Sequence, residues 1–95
     1  MNRRILIVAY ACGPEGTGEH WLGWGWAREA ARLGEVDLIT TPKFRESLSS
    51  QAPGLGIRCH YIPPAGPEGW GRKLRWQREV VRLAGRLHTQ NPFHL

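Results

Sequence analysis

The chain has 95 residues, which suits one small domain and gives no sign of two. Its 41% hydrophobic and 22% charged residues are ordinary for a globular protein and argue against disorder over most of its length. The net charge of +5 sits in one segment: residues 1–71 carry seven basic and seven acidic side chains, while residues 72–95 set Arg72, Lys73, Arg75, Arg78, Arg82 and Arg86 against Glu79 alone, which argues against a general polyanion-coating role.

In chain order, residues 5–10 are a continuous apolar run with β-branched members, closed by a Gly/Pro cluster. That is the pattern of a strand buried on both faces of a parallel sheet. The start "MNRRILIVAYACG" also has the charged-then-apolar form of an export signal. Its apolar run is at the short end for one and no hydrophobic stretch continues it, so we read a first strand. No stretch approaches the roughly 20 apolar residues that cross a bilayer. The expected location is cytoplasmic, with peripheral contact at the inner membrane face as an option.

Next comes "GPEGTGEHWLGWGWA" (13–27), with five glycines and three tryptophans in fifteen positions. Residues 20–33 read as a helix. At about 100° per residue, Leu22, Gly23, Trp26, Ala27, Ala30 and Leu33 fall on one side, the predicted core face. Trp21, Gly25, Arg28, Glu29 and Arg32 fall on the other, and Trp24 lies at the edge of the stripe. Gly34 stands where a left-handed helix cap is expected. Residues 35–41 read as a second strand, 42–51 as a short helix entered by Pro42, and 57–63 as a third strand. Residues 72–90 are the clearest helix, with Trp76, Val80, Leu83 and Leu87 at spacings of four, three and four. "NPFHL" then breaks that helix and begins what reads as a fourth strand.

Alternating strands and helices predict an α/β fold: a partial Rossmann-like three-layer α/β/α arrangement on a parallel sheet of three to four strands. In the usual order the fourth strand lies beside the first. Residues 1–95 therefore read as an incomplete N-terminal domain, a fragment with no second domain present.

The glycine turn invites a nucleotide reading, but the fingerprint fails. Gly16 and Gly18 supply the first two glycines of G-x-G-x-x-G, and Trp21 stands at the third. Thr40 and Thr41 stand where the second strand should end on an acidic residue. No Gly-Lys-Ser/Thr occurs either, and no cofactor is expected. Gly13, Gly16 and Gly18 precede the helix, where they permit unusual dihedrals and close backbone approach. The helix N-terminus beyond them offers unpaired N–H groups to an anion. Gly23 faces the sheet, which favours close packing, whereas Gly25 faces outward without a structural reason. Trp21, beside Glu19 and His20, is placed to stack on a sugar ring or to pack under a neighbouring segment.

A strand, then Ala11, Cys12 and Pro14, then Gly16 and Glu19, then Gly23, Trp24 and Trp26 opening a helix, resembles glycosyltransferase family 4. The distal "LRWQREVVRLAGRLHTQNPFHL" is also similar to that family's helix and entry to a fourth strand. The resemblance covers nearly the whole chain. It departs at Thr17, Gly18, Glu19, His20 and Trp21, where the family usually has Gly-Ser-Glu-Pro-Gly. It implies a retaining, nucleotide-sugar-dependent transferase with two Rossmann-like domains facing across a cleft. This chain would be part of the acceptor-side domain, without the catalytic carboxylates and inactive alone. Its partners would be a nucleotide-sugar donor and a glycan or lipid-linked acceptor. The implied substrate-binding residues are Gly16, Thr17, Gly18, Glu19, His20 and Trp21, and no catalytic residue is assigned. The alternative is a small autonomous α/β binding module.

Arg75, Arg78, Arg82 and Arg86 share one side of the last helix, within about 80°. They read as a solvated face or as a contact with anionic membrane. Nucleic acid is not an expected partner, since the aromatic interleaving of known modules is lacking. His20, His60, His88 and His94 have no metal spacing with Cys12, Cys59 or the carboxylates. The two cysteines read as free thiols of a reducing compartment.

Overall fold

The computed structural model describes residues 3–14, 18–65, 69–91 and 93; the side chains of Glu19, His20 and Trp70 lie outside that description. Strand β1 (Arg3–Val8) leads into helix α1 (Glu19–Ala31), strand β2 (Gly34–Thr40), a 3₁₀ turn (Pro42–Phe44) and helix α2 (Arg45–Gln51). A second 3₁₀ turn (Pro53–Leu55), strand β3 (Ile57–Tyr61) and helix α3 (Trp70–Gln90) follow. The described strands form one parallel sheet in the order β1-β2-β3. This is the expected mixed α/β fold, a partial Rossmann-like arrangement. The expected fourth strand falls largely on residues outside the description.

β2 is the central strand, and its side chains alternate between two helical layers. Val36 and Leu38 join Trp24 and Ala27 of α1, Leu48 and Ala52 in and after α2, and Ile57 in one buried cluster. Ile39 joins Trp76, Val80 and Leu87 of α3 in a second cluster on the opposite face. α1 and α2 thus cover one face of the sheet and α3 the other. Each fully buried aliphatic side chain here contributes about 1.5–3 kcal/mol.

Two expectations about this layer are corrected. Trp26 is not core: it is 64% exposed, while Trp24 is 2% exposed and sits in the first cluster. Leu22 and Leu33, also predicted inward, are exposed. The buried stripe of α1 is rotated by roughly one residue, about 100°. Gly23 sets that rotation, because a Cβ there would meet the Ala11 carbonyl oxygen at 3.2 Å and the Ala9 Cβ at 3.4 Å. A small residue at that point lets the helix lie close against the chain leaving β1. Nothing surrounds Gly25, and the structure gives no reason for it.

Gly34 does not make a left-handed cap; Arg32 caps α1 in ordinary helical geometry. Gly34 opens β2, and its missing side chain admits the Arg3 carbonyl, whose oxygen would lie 2.2 Å from an added Cβ. The first strand also begins two residues earlier than the apolar run indicates, at Arg3. Arg4 can enter the sheet because a buried carboxylate receives it.

Candidate functional site

In open parallel sheets, ligands are received beyond the carboxyl ends of the strands. At that end, the residues after β1 turn back into α1 through Gly18, whose φ of 88° and ψ of −149° suit glycine. Its carbonyl accepts the Leu22 N–H at 3.0 Å, and the N-cap position, a glycine, brings no side chain to cap the helix. The N-cap residue therefore leaves the N–H groups of the first helical turn to other partners. α3 opens at the same end of the sheet on Gly69, with φ 120° and again no side-chain cap.

Of the six predicted site residues, the structure describes Gly18 and Trp21 fully. Gly16 and Thr17 lie outside the described residues. Glu19 and His20 occupy the first turn of α1 by their backbone. Trp21 is 44% exposed, as predicted for an outward aromatic. Its ring is covered by the Arg28 guanidinium, 5.6 Å from the centroid, two turns along the helix. The ring thus already stands beside one cation.

The rest of the carboxyl end is tied together. The Thr41 hydroxyl donates to the Tyr10 carbonyl at 2.8 Å, joining the β1 and β2 exits. The Trp76 indole N–H donates to the Ile62 carbonyl at 2.8 Å, and the Tyr10 ring meets Trp76 edge-on with centroids 5.0 Å apart. The Lys73 ammonium stands 5.6 Å over Tyr10. Gly13 is required because the Phe44 ring lies where its Cβ would be, with Cγ 2.3 Å away.

Neither thiol is suited to nucleophilic chemistry. Burial, with a smaller contribution from Cys59, pushes the Cys12 thiol up to about 12. Burial also raises Cys59, against a hydrogen bond with Tyr61 that works the other way. Both are free. Among the described residues no group of three or more His, Cys, Asp or Glu side chains could hold a metal ion. No described helix is long and apolar enough to cross a membrane.

Several clefts are formed among the described residues, and none of the six predicted residues lines them. One of about 520 Å³ runs between β3 and α2, lined by Leu48, Ala52, Ile57, Cys59 and Tyr61 among others. One of about 480 Å³ runs along β1 beneath Leu22 and Trp26. A third, of about 360 Å³, holds Arg75, Arg78 and Arg82 against Pro63, Ala65 and Trp76. All four arginines of the predicted stripe are exposed. Arg82 pairs with Glu79 at 3.0 Å, while Arg75, Arg78 and Arg86 have no carboxylate partner among the described residues.

One constellation was missed by sequence reasoning. Asp37 is 1% exposed on the α3 face of β2. It accepts from Arg4 Nε at 2.9 Å and Arg58 Nη2 at 3.2 Å, and its other oxygen lies 2.8 Å from His60 Nε2. Arg4 continues to the Leu87 carbonyl at 3.0 Å and to the Asn91 carbonyl, with its guanidinium 4.5 Å over the Phe93 ring. A lone carboxylate within "VDLI" was the available signal, since such a residue in a central strand needs cationic partners on its neighbours. Every oxygen of Asp37 is engaged, so the network ties three strands to the end of α3.

Compared with family models, curated proteins and solved structures, the chain matches none.

Proposed function

We propose that this chain is the acceptor-side N-terminal half-domain of a nucleotide-sugar-dependent retaining glycosyltransferase, inactive alone, with residues 16–21 forming one wall of its cleft. The observation that carries the reading is Gly18 with Trp21: a glycine-opened helix end without a side-chain cap, and an exposed indole one turn in, at the carboxyl end of β1. The N–H groups at a helix start suit a diphosphate or carboxylate, and an aromatic face suits the C–H face of a sugar ring. In the full enzyme the partners are a nucleotide-sugar donor and a glycan or lipid-linked acceptor, met on the cytoplasmic side of the membrane.

Incubating the chain with labelled UDP-, GDP- and ADP-sugars is expected to give neither transfer nor hydrolysis. Titration with mono- and disaccharides, followed by tryptophan emission, is expected to show weak binding. Trp21→Ala should weaken that binding roughly 2- to 10-fold, the equivalent of about 0.5–1.5 kcal/mol for one aromatic contact, with an unchanged circular dichroism spectrum. Turnover by the chain alone overturns the half-enzyme reading. Binding indifferent to Trp21 overturns the site.

The basic groove supports a second contact of the same protein, with anionic membrane. Arg75, Arg78 and Arg86 carry charges that no described carboxylate neutralises, and each guanidinium near an anionic surface contributes about 1 kcal/mol. Co-sedimentation with phosphatidylserine vesicles should exceed that with neutral vesicles and fall with added salt. Replacing all four arginines of the stripe by glutamine should abolish it. Equal binding to neutral vesicles would exclude the contact.

A further inference from the structure

We propose that the groove between α3 and the segment leaving β3 binds a phosphomonoester, with Arg75 and Arg78 as its anion-holding pair. The inference shares the arginine stripe of the membrane contact above, but it names a pocket and a chemical group within that stripe. A soluble phosphate ester or a lipid headgroup can supply the group.

A buried pin fixes the groove. Trp76, 4% exposed, donates its indole N–H to the Ile62 carbonyl at 2.8 Å and meets the Tyr10 ring edge-on. Val80, one turn on, is buried with it against Ile39. These contacts hold the first half of α3 beside the residues that follow β3. Between the two lies a cleft of about 360 Å³, lined by Pro63 and Ala65 on one side and by Arg75, Arg78, Glu79 and Arg82 of α3 on the other.

The charges in this cleft do not balance. At 1.5 Å and 100° per residue, Arg75, Arg78 and Arg82 follow one another at about 4.5 and 6 Å along the axis, within about 60° around it. Glu79 is the one carboxylate among the lining residues, and Arg82 takes it at 3.0 Å. Arg75 and Arg78 have no carboxylate partner among the described residues. Like charges a turn apart on a helix are unfavourable until a counter-charge joins them. A phosphomonoester carries about −1.5 to −2 at pH 7 with three strong acceptor oxygens, which suits two guanidinium forks. A phosphodiester brings a single negative charge and fewer free oxygens. Pro63 and Ala65 give the carbon atoms of the ester an apolar wall. Arg86 belongs to the same stripe and is exposed too, but it does not line the cleft. It therefore separates a pocket from general positive charge.

The test titrates the isotope-labelled chain with glycerol phosphate at constant ionic strength, followed by NMR, with dimethyl phosphate as the diester control. Saturable shifts are expected at the Arg75 and Arg78 Nε–H groups and the Trp76 indole, and the diester should bind about tenfold more weakly. Arg75→Gln or Arg78→Gln should weaken glycerol phosphate about fivefold or more, and Arg86→Gln less than about twofold. All three side chains are exposed, so the circular dichroism spectrum should stay unchanged. Vesicles of phosphatidic acid and of phosphatidylserine, matched in surface charge, distinguish the sources. Tighter binding to phosphatidic acid, lost with Arg75 and Arg78, assigns the pocket to a lipid headgroup. Glycerol phosphate binding without that preference assigns it to a soluble ester, whether or not the membrane contact holds. Equal effects of the three substitutions, or equal binding of monoester and diester, overturn the pocket. The membrane contact would then survive as diffuse attraction if phosphatidylserine vesicles still bind.

Discussion

Asp37→Ala is expected to destabilise the chain by about 3–5 kcal/mol. The carboxylate is 1% exposed and holds Arg4, Arg58 and His60 around it. Removing it takes a carboxylate partner from the Arg4 guanidinium, 6% exposed, in the layer between sheet and α3. Removing one partner of a buried ion pair costs about 3–5 kcal/mol. At roughly 0.05–0.15 kcal/mol per residue, a domain of this size has about 5–14 kcal/mol in total. The loss is thus on the order of a fifth to all of the stability. Arg58→Gln is the internal comparison. That side chain is half-exposed, and its ion pair is screened by water, so its loss should cost under about 1 kcal/mol. Urea unfolding followed by circular dichroism measures both. An Asp37→Ala midpoint within about 1 kcal/mol of the parent would show that the network contributes nothing.

The same group gives the fold an acid limit. Burial acts to raise the Asp37 pKa, but hydrogen bonds from His60 and Arg4 and the charges of Arg58 and Arg4 outweigh it, and the net shift is downward. A carboxyl held below its unfolded value of about 3.9 stabilises the fold fully above that pH. The contribution is lost as the pH falls through the folded value. Stability between pH 7 and 5 should therefore be insensitive to this group, and a decline should set in below about pH 4. A decline centred above pH 5 would assign acid sensitivity to other groups.

The network also shows where sequence reasoning stops. Element order was legible because apolar periodicity and Gly/Pro punctuation are local, and the stripe of α3 was legible because charged residues flank Trp76, Val80 and Leu87. The position of Arg4 was not. An arginine beside an apolar run reads as a flank unless its carboxylate, 33 residues away, is known to stand opposite. At the site, the glycine-opened helix and the exposed Trp21 were readable from composition and spacing. The Arg28 guanidinium over Trp21 was not singled out, although a spacing of seven puts it two turns along the same side.

Trp24→Ala and Trp26→Ala are expected to differ by several kcal/mol, although two positions apart on one helix. Apolar residues surround α1 on most sides, with Trp21, Leu22, Trp24, Trp26 and Leu33 spread around it, so periodicity alone does not choose its buried line. A Cβ at Gly23 would press on the Ala11 carbonyl at 3.2 Å, which favours a small residue there and this line for the buried face. Trp24 then falls into the cluster with Leu38 and Leu48, and its truncation should cost about 3–5 kcal/mol, as for other buried aromatic side chains. Trp26, 64% exposed on the β1 flank, should cost within about 0.5 kcal/mol in the chain alone. Urea unfolding of the two variants decides the matter, and the reverse order would rotate α1 back to the stripe its sequence predicts.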